Sequence, residues 1–263
     1  MNHFAIFGNP VSHSKSPLMH NLTFRGLNYD GCYSRYLLED GKRLREKFLE
    51  LKLKGINITV PHKEEAYLAC DHLDPFAERV GAVNTIINRD GELYGYNTDA
   101  LGFLKAIEEF RDIKEVLFLG AGGTARSTSS ILRDEGYSVT ILNRSSGRLE
   151  SFREAGFEIY TFENFRPKEY DLIINMTSAG LEDNSLPAPK EILDMVMPKA
   201  KASVDVIYGR ETPFLKLAKS MNIPTKDGSD MLLYQGVIAS QYFMDNLYEF
   251  REIEPKMRRA FTI

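Results

Sequence analysis

The residues "NITVPHK" (57–63) end a run of β-formers at a proline and then present a histidine and a lysine together. "GINITV" (55–60) has the alternation and β-branching of a strand, and "HKEEAYLAC" (62–70) reads as a helix entered at Pro61. Lys63 then falls in the first helical turn, at the positive end of the helix dipole, where a cation is disfavoured. Taken alone, that describes an exposed lysine carrying a small penalty. Beside a ketone, however, an ammonium stabilises charge developing on the oxygen and supplies the proton that reduction requires. Such a lysine needs a group that fixes its rotamer and balances its charge. Asp99 in "GYNTDALGF" is the carboxylate offered, although that window equally suits a plain helix cap at Thr98 or Asp99.

A reductant site is suggested by "VLFLGAGGTARS" (116–127), where a strand runs into a glycine-rich turn and a helix follows. Gly120, Gly122 and Ala125 occupy the three small positions of the dinucleotide fingerprint: tight turn, backbone approach to pyrophosphate, and helix packing on strand. Backbone N–H groups from Ala121 through Gly123, Thr124 and Ala125 would face phosphates at a helix N-terminus. A bare glycine-rich turn can imitate this pattern, but the flanking strand, helix and second strand are all present. Where NAD sites place an acid about 20 residues on, this chain has "ILNRSSGR", with Asn143, Arg144, Ser145 and Arg148. A guanidinium pairs with a 2′-phosphate that a carboxylate would repel, so the window favours NADP over NAD. The same arginines also suit a solvated helix start.

The third window is "GNPVSHSKSPLMH" (8–20), in which Ser12, Ser14 and Ser16 alternate after the first strand. Hydroxyls at a strand's C-terminal end point to where α/β sheets take ligands, though serines fill ordinary turns as well. Asn84 in "VGAVNT" adds an amide at the start of another strand.

The elements that must position these groups form two alternating series. Residues 1–100 run strand and helix in turn, with "AVNTIIN" and "ELYGYN" flanking Arg89-Asp90-Gly91 as a hairpin. In "GKRLREKFLELK", Leu44, Phe48 and Leu51 share one face at helical spacing. The expectation is an α/β fold, with a mostly parallel sheet and one antiparallel excursion. "TDALGFLKAIEEF" (98–110) is an amphipathic helix leading to a second series with strands "EVLFLG", "SVTILN", "FEIYTF", "DLIINMT" and "SVDVIY". This predicts a substrate-binding domain over 1–100, completed by C-terminal helices 237–263, and a Rossmann-like dinucleotide-binding domain over 101–236, with a cleft between them. One long helix is expected over 230–250, packing back on the first domain.

Composition narrows the class. The 263 residues are 43% hydrophobic and 27% charged, with a formal charge of −4, so bulk attraction to nucleic acid or an acidic membrane surface is not expected. Cys32 and Cys70 form no CxxC motif, and neither a disulfide framework nor a metal site is expected. No apolar run approaches the roughly 18 residues of a membrane span, and a soluble cytoplasmic protein is the default expectation.

Together, "GNPVSHSKSP", "NITVPHK", "GAVNT", "GYNTDALGF", "GAGGTA", "NRSSGR" and "DGSDMLLYQG" resemble the shikimate dehydrogenase family, in that family's order and nearly end to end. The resemblance implies reduction of 3-dehydroshikimate to shikimate by NADPH, a step toward aromatic amino acids. It implies that Ser14 and Ser16 bind the substrate carboxylate. Thr59, Asn84, and Lys63 with Asp99 would hold the ring hydroxyls and the reacting oxygen, and Tyr208 and Gln235 would close the pocket. Gly120 to Ala125 would wrap the pyrophosphate, Asn143, Arg144, Ser145 and Arg148 would take the adenosine phosphate, and Gly228 would lie near the nicotinamide. Dimers are common among such enzymes, and no interface is readable in this chain.

Three positions depart from the family pattern. His62 stands where an aromatic often precedes the lysine and reads as a spacer. Ser229-Asp230 replaces a small or apolar pair, and Val206 lies where a methionine is common beside the nicotinamide. Two alternatives are an NAD-using quinate/shikimate dehydrogenase and a non-catalytic NADP-binding regulatory protein. Asn143-Arg144 argues against the first, and the retention of both Lys63 and Asp99 against the second.

Overall fold

Strand alternation and helix periodicity produce two compact units in the computed structural model, which describes residues Met1–Ile263. The first unit comprises Met1–Gly102 and Leu232–Ile263, and the second Phe103–Met231. In chain order the first contains β1 (Asn2–Gly8), α1 (Ser16–Gly26), β2 (Gly31–Leu37), α2 (Leu44–Glu50), β3 (Gly55–Ile58), α3 (Lys63–Ala69), β4 (His72–Leu73), α4 (Pro75–Val80), β5 (Thr85–Arg89) and β6 (Glu92–Tyr96). Helix α5 (Thr98–Ile107) leads into the second unit. That unit holds β7 (Glu115–Leu119), α6 (Gly123–Asp134), β8 (Ser138–Asn143), α7 (Glu150–Glu154), β9 (Glu158–Thr161), β10 (Leu172–Asn175), α8 (Lys190–Val196), β11 (Ala202–Asp205), α9 (Pro213–Ser220) and β12 (Thr225–Lys226). Helix α10 (Ser229–Phe243) returns to the first unit, which α11 (Phe250–Arg258) completes.

The first sheet has the order β2-β1-β3-β5-β6-β4, and β5 alone runs against its neighbours. The β5–β6 turn places Asp90 and Gly91 at φ 54° and 93°, the left-handed pair that an Asp-Gly hairpin turn needs. Successive β1 residues face opposite sides, as strand geometry requires. Phe4 and Ile6 join a core with α1, α10 and α11, while Ala5 and Phe7 join one with α2, α3 and α4. Both faces are covered, so the strands read as apolar runs.

The second sheet is fully parallel, in the order β12-β11-β10-β7-β8-β9. Val116 and Phe118 pack toward α6, and Leu117 and Leu119 toward α8 and α9. Strand order reverses between β7 and β10, and ligands of doubly wound sheets bind outside the carboxyl ends at such a reversal.

Several local expectations need correction. Strand β3 stops at Ile58 and α3 starts at Lys63 with His62 at its N-cap, so Pro61 lies in the link rather than at the helix entry. Leu44 and Phe48 are buried, but Leu51 is exposed because α2 ends at Glu50 and the chain turns at Lys52, φ 51°. The single helix expected over 230–250 breaks after Phe243, where Asp245 and Asn246 adopt left-handed φ of 51° and 57°. Neither Thr98 nor Asp99 caps α5. Asn97 does so, its Oδ1 accepting from the Ala100 N–H at 3.3 Å while its Nδ2 donates to the Ala82 carbonyl at 3.0 Å. Asn97→Ala loses the cap and strands a buried carbonyl, and is expected to cost about 2 kcal/mol, read as a lower urea midpoint.

Candidate active site

Lys63 opens α3, with Glu64 and Glu65 in the same first turn. Those acids suit the helix N-terminus and offset the misplaced cation. The Lys63 Nζ lies 2.5 Å from Asp99 Oδ2, with 21% and 13% of the two side chains exposed. His62 does not face this pair. Its ring is buried, and Nε2 donates to the Leu38 carbonyl at 2.6 Å.

Asn84 sits beside the ion pair through main-chain and side-chain bonds. Val83 N–H donates to the Lys63 carbonyl at 3.1 Å, and Asn84 Oδ1 accepts from the Thr98 N–H at 2.7 Å. The start of α5, and with it Asp99, is thereby fastened to the link before β5. Gln235 on α10 is buried against the same helix: its backbone N would lie 2.5 Å from a Cβ at Gly102, one turn beyond Asp99. Thr59 abuts the end of β1, its N–H donating to the Phe7 carbonyl at 2.9 Å.

Ser14 and Ser16 face each other, with hydroxyl oxygens 3.2 Å apart and both residues buried. Arg35 donates to the Ser14 carbonyl through Nε and Nη2 at 3.2 and 2.6 Å, holding a guanidinium near the two hydroxyls. A buried polar chain links this serine pair to Asn84. Tyr33, in reach of Ser16, donates its hydroxyl to Asn57 Oδ1 at 2.6 Å. Asn57 Nδ2 donates to Thr85 Oγ1 at 2.9 Å, and Thr85 Oγ1 to Asn84 Oδ1 at 3.2 Å. His20 stacks on Tyr33 with centroids 4.3 Å apart and meets Ser240 Oγ through Nδ1 at 2.9 Å. Burial pushes His20 down to about 3 and Tyr33 well above its ordinary value, so both are neutral and the chain adds no charge beside Lys63 and Asp99. Tyr208 belongs to the second unit, where it is half-buried and its hydroxyl is pushed up by that burial.

The second unit contains a groove of about 500 Å³ at the β7–β10 reversal, lined in part by Gly120, Ala121, Gly122, Asn143, Arg144 and Arg148. Gly120 has φ 111°, open to glycine and strained for other residues. Gly122 is the N-cap of α6 and has no side chain to satisfy the first-turn N–H groups, which are left for a ligand. A Cβ at Gly122 or Gly123 would meet nothing within 4 Å, so the turn is open on that side. Thr124 follows in the first turn, and its carbonyl is occupied by Ser127 and Thr128 hydroxyls. Ala125 is buried in the core that backs the turn. Asn143 Nδ2 donates to the Ser145 carbonyl at 2.8 Å, shaping the bend that carries Arg144. Open turn, unfilled N–H groups and two arginines fit a phosphorylated dinucleotide.

The opposite wall follows β10 and includes Thr177 and Asp183. Asp183 Oδ1 accepts from Ser185 Oγ at 2.7 Å and from the Ser185 and Gly180 N–H groups at 3.0 Å each, which lowers its carboxyl. Val206 and Gly228 meet beyond β11 and β12, where a Cβ at Gly228 would come 2.1 Å from the Val206 carbonyl oxygen. Both residues of the unusual Ser229-Asp230 pair are engaged: Asp230 pairs with Lys226 at 2.7 Å, and Ser229 N–H and Oγ donate to Asp227.

Sequence reading did not find the Tyr33–Asn57–Thr85 chain or the wall after β10. A signal existed for each. Asn57 is a lone amide in a strand whose four residues are all buried, and "MTSAG" places two hydroxyl residues and two other small ones just after a buried strand. No group of three or more His, Cys, Asp or Glu side chains is placed to hold a metal ion, and no helix is long and apolar enough to cross a membrane.

Residues 6–86 match the family model described as the shikimate dehydrogenase substrate binding domain. The chain is 43% identical over 260 residues to the shikimate dehydrogenase (NADP(+)) of Helicobacter hepaticus, covering 98% of this chain and 97% of the relative. It is 41% identical over 263 residues to that of Helicobacter pylori strain 26695, covering 98% of each. The crystal structure of shikimate 5-dehydrogenase from Thermus thermophilus, in complex with NADP(H) and shikimate, superposes with a TM-score of 0.87 at 35% identity, over 99% of this chain and 100% of the other. With relatives this similar over almost its whole length, the chain belongs to the shikimate dehydrogenase family.

Proposed function

We propose that this chain reduces 3-dehydroshikimate to shikimate with NADPH, reversibly, and that Lys63 is the proton donor. The observation that carries the reading is the largely buried Lys63–Asp99 pair, in the same unit as the facing Ser14 and Ser16 hydroxyls. When bound, NADPH supplies a hydride to the carbonyl carbon. The Lys63 ammonium stabilises the charge growing on the oxygen and hands it a proton, and in the reverse direction takes it back. Asp99 fixes the lysine rotamer and balances its charge, while Asn84 anchors the helix start that carries Asp99. Ser14 and Ser16 take the substrate carboxylate with Arg35 nearby, and Thr59, Asn84, Gln235 and Tyr208 pair with its hydroxyls. A pocket built to pair hydroxyls rejects analogues that lack them.

On the cofactor side, Gly120 to Ala125 hold the pyrophosphate, Asn143, Arg144, Ser145 and Arg148 the 2′-phosphate, and Val206 with Gly228 the nicotinamide. A soluble dinucleotide as reductant suits a cytoplasmic site of action.

The direct test is the initial rate of NADPH formation from shikimate and NADP⁺ by the purified chain, set against quinate and NAD⁺. A preference for quinate or for NAD⁺ would favour the quinate/shikimate reading, and no turnover with any pair would leave a binding protein. Arg144→Ala is expected to raise the KM for NADP⁺ by about tenfold or more, as loss of a charge-assisted bond requires, with little change for NAD⁺. Equal losses for both coenzymes would remove the 2′-phosphate role.

A further inference from the structure

The carboxyl ends of β10 and β11 carry a buried polar cluster that the mechanism above does not use. Asp205, Asn175 and Thr212 are each fully buried. Asp205 Oδ2 accepts from Thr212 Oγ1 at 2.6 Å and from Asn175 Nδ2 at 3.0 Å, and Oδ1 accepts from the Ile207 N–H at 3.0 Å. Thr212 Oγ1 itself accepts from the Leu215 N–H at 3.3 Å, so its own proton is free to go to Asp205. All three partners of this carboxyl are neutral donors, an arrangement that favours its ionised form, and no cation in this set neutralises it. Burial and the nearby Asp227 raise its pKa, as expected for a charge held away from water.

This carboxylate joins two loops. Asn175 Oδ1 accepts from the Thr177 N–H at 2.9 Å and Oγ1 at 2.7 Å, and Thr177 Cγ2 would lie only 2.6 Å from a Cβ at Gly120 in the phosphate turn. On the other side, the Ile207 carbonyl accepts from the Gly228 N–H at 3.0 Å, locking Gly228 against Val206.

We propose that Asp205 is a positioning residue that fixes Val206 and Gly228 against the nicotinamide, and that its charge favours the oxidised coenzyme over the reduced one. The proposal rests on the reading of Val206 and Gly228 as nicotinamide neighbours. The oxidised ring carries a positive charge and the reduced ring does not, so a fixed negative charge in a dry wall stabilises only the former. A carboxylate that merely stapled the loop would support both forms alike.

The experiment titrates the full-length chain with NADP⁺, NADPH and adenosine 2′,5′-bisphosphate, for the wild type, Asp205→Asn and Thr212→Val. Asp205→Asn is expected to weaken NADP⁺ about tenfold more than NADPH, with the bisphosphate unaffected. Thr212→Val keeps the charge while loosening the loop, and should weaken both coenzymes by the same factor. Asp205→Ser, which keeps an acceptor for the Ile207 N–H without the charge, serves if the amide variant does not fold. Equal weakening of NADP⁺ and NADPH in the neutral variants overturns the role of the charge. A wild type that binds none of the three nucleotides instead overturns the underlying reading of the groove, and this proposal with it.

Discussion

Lys63→Ala is expected to lower kcat by about a thousandfold, some 4 kcal/mol in the barrier, while the Kd for NADP⁺ stays nearly unchanged. The size follows from losing two roles at once: the proton donor, and the cation that meets developing negative charge. The unchanged coenzyme affinity follows from the make-up of the dinucleotide groove, whose lining residues do not include Lys63. Pre-steady-state reduction with a saturating substrate, alongside coenzyme titration, separates the two quantities. Near-normal turnover in the variant would show that another group donates the proton. A parallel loss of NADP⁺ binding would show that the substitution disturbed far more than the ion pair.

Gly120→Ala is expected to remove most NADP⁺ affinity, by well over tenfold, and to destabilise the second unit by about 2–4 kcal/mol. Two separate obstacles combine. The φ of 111° lies where a side chain is strained, and the new Cβ would lie 2.6 Å from Thr177 Cγ2. Thr177 cannot easily retreat, since Asn175 holds it by both its N–H and its hydroxyl. Adding Thr177→Ser removes the offending methyl and keeps the hydroxyl bond, so part of the stability should return while the backbone strain remains. Full recovery in the double variant would mean that φ at this position carries no cost, and no recovery would mean that the methyl contact is irrelevant.

Much of this molecule was readable locally. The β7–Gly120–α6 turn depends on φ at one residue, on the absence of side chains at two others and on N–H groups of the first helical turn, all within about six positions. The β5–β6 hairpin was legible for the same reason, because Asp90-Gly91 meets the turn's dihedral demand by itself. Helix ends were less legible. The break after Phe243 sits inside an apolar stretch, and its signal, Asp245-Asn246, is a pair that also occurs in exposed helix positions. Asn97 was overlooked as the α5 cap because Thr98 and Asp99 are equally good capping types, and only their other partners show that they are engaged elsewhere.

Residue types and short-range order by themselves determined the two alternating βα series, the glycine turn with its arginines, and the windows that carry Lys63, Asp99 and the serines. The tertiary structure alone decided which polar groups share a buried environment: the Lys63–Asp99 contact across 36 positions, the Tyr33–Asn57–Thr85 chain, and the Asp205 cluster. The reason is energetic. A buried polar atom must find a partner, but any strand or loop that the sheet brings alongside can supply it, and hydrophobic periodicity records which face is buried without recording which neighbour will be there.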